Sequence, residues 1–347
     1  MTHPVRTPVV AADGALIRFD LAELLGGTVT SMRIEVIDAA AEPWLTRLCG
    51  PENAMAALGG EVDVPVVTEL AELALLLWAR RWWPASAVRG IASLDPALLD
   101  FEAAIATAAV EDVAEGMLDG FEATPGELFD AAADALLAAS GPVTGEVRGL
   151  CGRLASWFDE RDDVVRAESA AELAERLENI APSQRSYALA AGTPRTVAGA
   201  GLLAEGRASV DWARVPPGVL DAADDTVAWR IVTAAGATRM QVEVAGAFAD
   251  AALTAFATND GEAFAEVPLA LGAGSFAGSV ELDEDSARLA ADRDVHIGVE
   301  IGDEPVFVTT PEDRAAVVAL VLAREELPLS LRTLAERAAA GSAAEEF

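Results

Sequence analysis

The chain contains no lysine; all 24 of its basic residues are arginine. A Gly-x-x-x-x-Gly-Lys-Ser/Thr phosphate loop is therefore excluded. Histidine is almost as scarce, with only His3 and His296. That leaves one realistic base for a Ser-His-Asp arrangement, and no Gly-x-Ser-x-Gly elbow accompanies it. His296 falls in a strand-like run with no second histidine nearby, which reads as a structural or solvent-facing residue rather than a metal ligand. Cys49 and Cys151 are the only cysteines and stand far apart. Neither has a partner at metal-ligand spacing, so both read as buried free thiols. Cysteine catalysis would need His296 beside one of them, and nothing local indicates it. No run approaches the roughly 20 apolar residues of a membrane span. Met1-Thr2-His3-Pro4-Val5-Arg6 does not lead into an apolar signal segment. The expectation is a cytoplasmic protein with no membrane partner.

What is abundant is acid. Against the 24 arginines stand 57 Asp and Glu, for a net charge of -33 over 347 residues. Charge on this scale acts on solubility and association rather than on fold. It excludes a phosphate-tracking surface, which needs a basic face, so no direct nucleic-acid binding is expected. It favours a protein partner with a basic surface. The Ala-, Gly-, Val- and Arg-rich, lysine-free texture is that of a high-GC bacterial genome; adaptation to high salt, or a functional need to avoid amine modification, would also produce it. The apolar fraction of 52% is too high for disorder throughout and is supplied mostly by Ala, Leu and Val. With one tyrosine, Tyr187, and seven tryptophans, the few large anchors are indoles.

The densest of these anchors is Leu75-Leu76-Leu77-Trp78-Ala79-Arg80-Arg81-Trp82-Trp83-Pro84, following Glu69–Ala74. Leu70, Leu73, Ala74 and Leu77 make one helical stripe, widened by Leu76, Trp82 and Trp83, so the helix is a central one. Arg80 and Arg81 sit in its last turn, where the helix dipole favours cations. Trp and Arg also concentrate binding energy at interfaces. Trp78, Arg80, Arg81, Trp82 and Trp83 are therefore candidate protein-binding residues, with a core role for the tryptophans as the competing reading.

Strand-like segments precede this helix, at Ala15–Phe19 and Val29–Ile37. In the second, Met32, Ile34 and Val36 share one face and Arg33 and Glu35 the other. Pro43-Trp44-Leu45 starts a short helix or lays the Trp across the sheet. Helices follow it. Asp95-Pro96 reads as N-cap and first helical residue, and Thr124-Pro125-Gly126-Glu127 as a capping box. Helical spacing continues from about Gly145 to Glu160 and from Ser169 to Leu177.

From 181 to 207, Pro and Gly mark a linker or long loop. Arg185 and Tyr187, near its start, are further candidate binding residues. Beyond it the period becomes two. Runs at Thr226–Val232, Thr238–Val244, Leu253–Thr258, Ala263–Leu269, Ser275–Leu282 and Val295–Ile301 alternate apolar and polar residues. Asn259-Asp260-Gly261 is a hairpin signal, and Pro268 suits an edge strand. Turns about every ten residues predict an antiparallel β-sandwich, with a small barrel as the alternative. Asp283-Glu284-Asp285 lacks the full calcium-loop pattern. Thr310-Pro311 opens a C-terminal helix, Pro328 breaks it, and a weaker stripe follows.

The predicted fold is thus α+β and multidomain: a mainly helical domain with N-terminal strands at 1–180, a linker at 181–207, a β-sandwich at 208–305 and C-terminal helices at 306–347. No catalytic, cofactor-binding or metal-ligating set emerges, because acidic residues are too numerous for any pair to be singled out. The function expected is a non-catalytic acidic adaptor, scaffold or regulatory subunit that binds another protein in a bacterial multi-protein system. A hydrolytic enzyme using carboxylates and a nucleic-acid mimic binding a basic protein are the alternatives.

Overall fold

The computed structural model describes residues 4–119, 124–179, 201–234, 236–246, 251–259, 262–272, 274–290, 295–300 and 309–345. The architecture is α+β and divides into two compact units. One comprises Met1–Arg81, Leu94–Arg185 and Glu312–Phe347, the other Trp82–Ser93 and Ser186–Pro311. Among the described residues no helix is long and apolar enough to cross a membrane.

The first unit opens with a four-stranded antiparallel sheet, β1 (Val9–Ala12), β2 (Ala15–Arg18), β3 (Ser31–Val36) and β4 (Val62–Pro65), in chain order. Its inner face carries Val10, Ala15, Ile17, Met32, Ile34 and Val64, all buried. Between β2 and β3 the chain makes a short helix, α1 (Leu21–Gly26). Asp20 caps its start, and Gly27, at φ 64°, closes it in a left-handed conformation suited to glycine. Between β3 and β4 runs α2 (Glu42–Leu58), which kinks where Gly50 leaves helical geometry ahead of Pro51. Trp44 is buried here and donates its indole N–H to the Asp13 carbonyl at 2.8 Å.

The helices follow as α3 (Thr68–Trp82), α4 (Pro96–Val113), α5 (Pro125–Ala139), α6 (Thr144–Asp159) and α7 (Val164–Glu178). Their ends are fixed by the expected chemistry. The Asp95 carboxylate accepts from Ala97 N–H, with Pro96 at the first position. Thr124 and Glu127 satisfy each other's backbone N–H in a reciprocal capping box. Leu128, Phe129, Ala132 and Leu136 of α5 and Val147, Cys151, Leu154 and Phe158 of α6 turn inward, and Phe129 packs on Phe158 with ring centroids 5.8 Å apart.

The second unit is built on β5 (Gly201–Ala208), β6 (Val227–Ala234), β7 (Ala237–Ala245), β8 (Leu253–Asn259), β9 (Glu262–Leu271) and β10 (Ser275–Leu282), followed by α8 (Glu284–Ala290) and β11 (Val295–Glu300). They form one seven-stranded antiparallel sheet in the order β11-β8-β9-β10-β7-β6-β5. Residues of β5 and β11, its two ends, lie within 8 Å of each other, so the sheet curls nearly into a barrel. This corrects the sandwich expectation: a sandwich requires two sheets, and β9 and β10 join what would be the two halves. That junction is narrow, paired only through Phe276 with Leu271 and Ala277 with Ala270. Pro268 lies just beyond it. β9 is an interior strand, not the edge expected, and tolerates the missing N–H because the ladder toward β10 has lapsed there. The core holds Val227, Ile231, Met240, Val242, Val244, Leu253, Val267, Phe276 and Val299.

The linker expectation also needs correction. Gly201–Ala208, its last part, is β5, paired to β6 with a register shift between Leu202 and Ala204. Residues 180–200 lie outside the described residues. In addition, Trp82–Ser93 belongs to the second unit. Ala222 N–H donates to the Ala85 carbonyl at 2.9 Å, Val88 N–H to Asp221, and Arg89 pairs with Asp224 at 2.7 Å. The C-terminal helices α9 (Pro311–Arg324) and α10 (Leu334–Glu345) return to the first unit.

Candidate functional site

The outer face of the four-stranded sheet carries the charges that alternation predicts. Strand register sets Arg18 directly opposite Arg33, and Arg33 opposite Asp63. Two like charges side by side on a sheet repel. Each is answered by a carboxylate: Arg18 meets Glu35 at 2.5 Å, and Arg33 binds Asp63 through two bonds of 2.8 and 3.1 Å. Glu61 stands 3.6 Å from Arg33 as well. The Arg33 hydrogen bond holds the Asp63 carboxyl below the usual range, and the same bond raises Arg33. Across this face Arg6 lies 3.8 Å from Asp313, near the start of α9.

All of these side chains but Glu35 line a cleft of about 780 Å³, completed by Thr7, Phe19, Asp20, Glu23 and Ser31. Five carboxylates (Asp20, Glu23, Glu61, Asp63 and Asp313) face three guanidinium groups (Arg6, Arg18 and Arg33). The lining is therefore acidic, and every arginine in it is already near a carboxylate of the chain. Chemically, such a cleft is suited to a cationic group, with the Thr7 and Ser31 hydroxyls beside it.

The sequence-derived candidates fall elsewhere. Trp78, Trp82 and Trp83 are 3%, 7% and 5% exposed. Trp78 donates its indole N–H to the Val5 carbonyl at 2.8 Å, and Trp83 donates to the Ala92 carbonyl at 2.9 Å. Buried and hydrogen-bonded indoles of this kind belong to cores. Arg80 lies 2.6 Å from Asp100, and Arg81 is half-buried. Arg185 and Tyr187 lie outside the described residues. His296 is exposed on β11. Asp283 caps α8 through Ser286 N–H, and Glu284 and Asp285 pair with Arg288, so the acidic turn serves a helix start. Among the described residues no group of three or more His, Cys, Asp or Glu is placed to hold a metal ion.

The cleft residues were hard to find from sequence. Arg6, Arg18, Arg33, Asp63 and Asp313 are scattered along the chain. The one local signal was the polar alternation of Arg33 and Glu35.

Several carboxyls are raised, and each lies away from the cleft. Burial lifts Glu72, with Glu69 adding to it, and burial lifts Asp100 against the pull of Arg80. Burial also lifts Glu111 and Glu325, and pushes Glu102 up to about 7. No protein-family model matches the chain, and neither a curated protein nor a solved structure matches it.

Proposed function

We propose that this chain is a non-catalytic acidic adaptor, a scaffold or regulatory subunit that binds a protein with a basic surface in a bacterial multi-protein system. The observation that carries the reading is the acidic cleft on the open sheet face, set in a chain of net charge -33. Its arginines are matched internally, which leaves carboxylates in excess for an incoming arginine or lysine. Long-range attraction of basic partners follows from the same charge. Binding is preferred to hydrolysis because, among the described residues, none of the carboxyls raised by burial lines the cleft, whereas a general acid needs such a group at the substrate.

The test is affinity purification from the native host, with the intact mass of the complex, for the wild type and for a Glu23→Lys/Glu61→Lys variant. Both residues are exposed, so reversal should leave the fold intact. A complex of fixed stoichiometry that the variant and rising salt both weaken supports the proposal. A chain that stays alone at every salt concentration overturns it.

A further inference from the structure

We propose that the docking of α10 in the first unit is a pH-gated latch, in which the Glu102 carboxyl of α4 takes up a proton as the helix seats and gives it up as the helix leaves. The inference is independent of the function proposed above.

The latch is built at the start of α10. The first N–H groups of a helix have no partner within it. Here side chains satisfy all of them. Thr333 N–H donates to Glu336 at 2.7 Å, and Glu336 N–H donates to the Thr333 hydroxyl at 3.2 Å. Leu334 N–H donates to one oxygen of Glu102 at 2.7 Å, and Ala335 N–H to the other at 3.3 Å. Two carboxyl groups therefore converge on one helix end, from residues 234 positions apart.

They are not equivalent. Glu336 is held by two parallel bonds from Arg324, at 2.7 and 2.9 Å, which neutralise it. Among the described residues no guanidinium hydrogen-bonds Glu102. From α10, Arg337 stabilises its charge at a distance and Glu336 opposes it. From α9, Arg324 is committed to Glu336, and Glu325 beyond it faces Arg332 and Glu336. The other helices packed along α4 place their charges on different partners: Asp130 of α5 on Arg166, and Glu146 of α6 on Arg337.

Burial thus dominates at Glu102 and favours the neutral carboxyl, pushed up to about 7 against the pull of the two N–H groups. The docked state binds a proton that an exposed carboxyl would release. Opening is therefore favoured as pH rises from the ordinary carboxylate range through 7, and docking is tightest on the acidic side. α10 depends on its docked contacts: twelve residues are marginal as an isolated helix, and beside the Arg324–Glu336 and Arg337–Glu146 pairs its buried apolar side chains, among those described, are Leu334, Ala335 and Ala338.

The experiment is backbone hydrogen exchange on the full chain, corrected for the intrinsic pH dependence of exchange. Protection of the α10 amides should fall about tenfold between about pH 6 and about pH 8.5, and Glu102→Gln should abolish that fall. Amides of β6 and β7 serve as the internal reference. A flat wild-type profile overturns the latch, and so does an equal fall in the variant. Should Glu102→Gln prevent α10 from docking at all, carboxyl-carbon NMR of the wild type decides. A midpoint near 7 for Glu102 supports the proposal, and one in the ordinary carboxylate range overturns it.

Discussion

Arg324 and Glu336 form a buried ion pair, with side chains 1% and 7% exposed. Arg324 also donates to the carbonyls of Leu25 and Leu331, at 2.8 and 2.9 Å. One guanidinium therefore ties α9 to α10 and to the end of α1. Removing one partner of such a pair strands the other charge away from water. Arg324→Met is expected to destabilise the first unit by about 3–5 kcal/mol. Replacing both residues with apolar ones of similar size should cost clearly less, because no charge is left behind. Urea denaturation followed by far-ultraviolet circular dichroism checks both. Equal losses in the single and double variants would mean that the pair itself, rather than the stranded charge, dominates.

The β9–β10 junction offers a sharper geometric test. A methyl group built on Gly278 would sit 2.2 Å from the Pro268 carbonyl oxygen and 2.9 Å from Val267. Backbone cannot yield that much without parting the strands. Gly278→Ala should cost about 1–3 kcal/mol or more. Gly298, on β11, has nothing within 4 Å of the same added atom. Gly298→Ala should fall within about 0.5 kcal/mol of the wild type. The contrast, measured by thermal or chemical denaturation, separates crowding from the general effect of replacing glycine in a strand.

Helix starts were legible because their signals are local. Asp95-Pro96 and Thr124–Glu127 carry cap and first turn within four residues, and both act as caps. Thr124→Ala removes one half of the reciprocal box and should cost about 1 kcal/mol, read by the same denaturation. An unchanged midpoint would mean that the α5 start is held by packing alone.

What stayed illegible is non-local. Alternation at Met240, Val242 and Val244 is the same whether a strand lines a sandwich or a curled sheet. Only the pairing of Phe276 with Leu271 and of Ala277 with Ala270 decides, and no pattern within either strand encodes it. The tryptophans of α3 and its end looked alike from sequence in a core or at an interface. Their acceptors, the carbonyls of Val5 and Ala92, are backbone groups with no side-chain signature. Trp82–Ser93 reads as the end of a helix and the loop after it, yet it pairs with residues more than a hundred positions later, at Asp221, Ala222 and Asp224. The cleft drew on five separate stretches, of which only the Arg33 and Glu35 alternation showed itself beforehand.

The two cysteines, read as buried thiols, differ in the structure. Cys151 faces the core of α6, while Cys49 is partly exposed near the kink of α2. Burial pushes Cys151 up to about 12, and it raises Cys49 as well. Only the thiolate attacks a disulfide reagent, so raising the pKa from its ordinary value of 9.0 to about 12 lowers the reactive fraction near neutral pH by about a thousandfold. The native protein should therefore titrate as one slow thiol at mildly alkaline pH, and as two rapid thiols once unfolded. Cys49→Ser should abolish the native reaction, and Cys151→Ser should leave it unchanged. Rapid native labelling of Cys151 would mean that α6 opens to solvent far more readily than its packing on Phe129 and Phe158 implies.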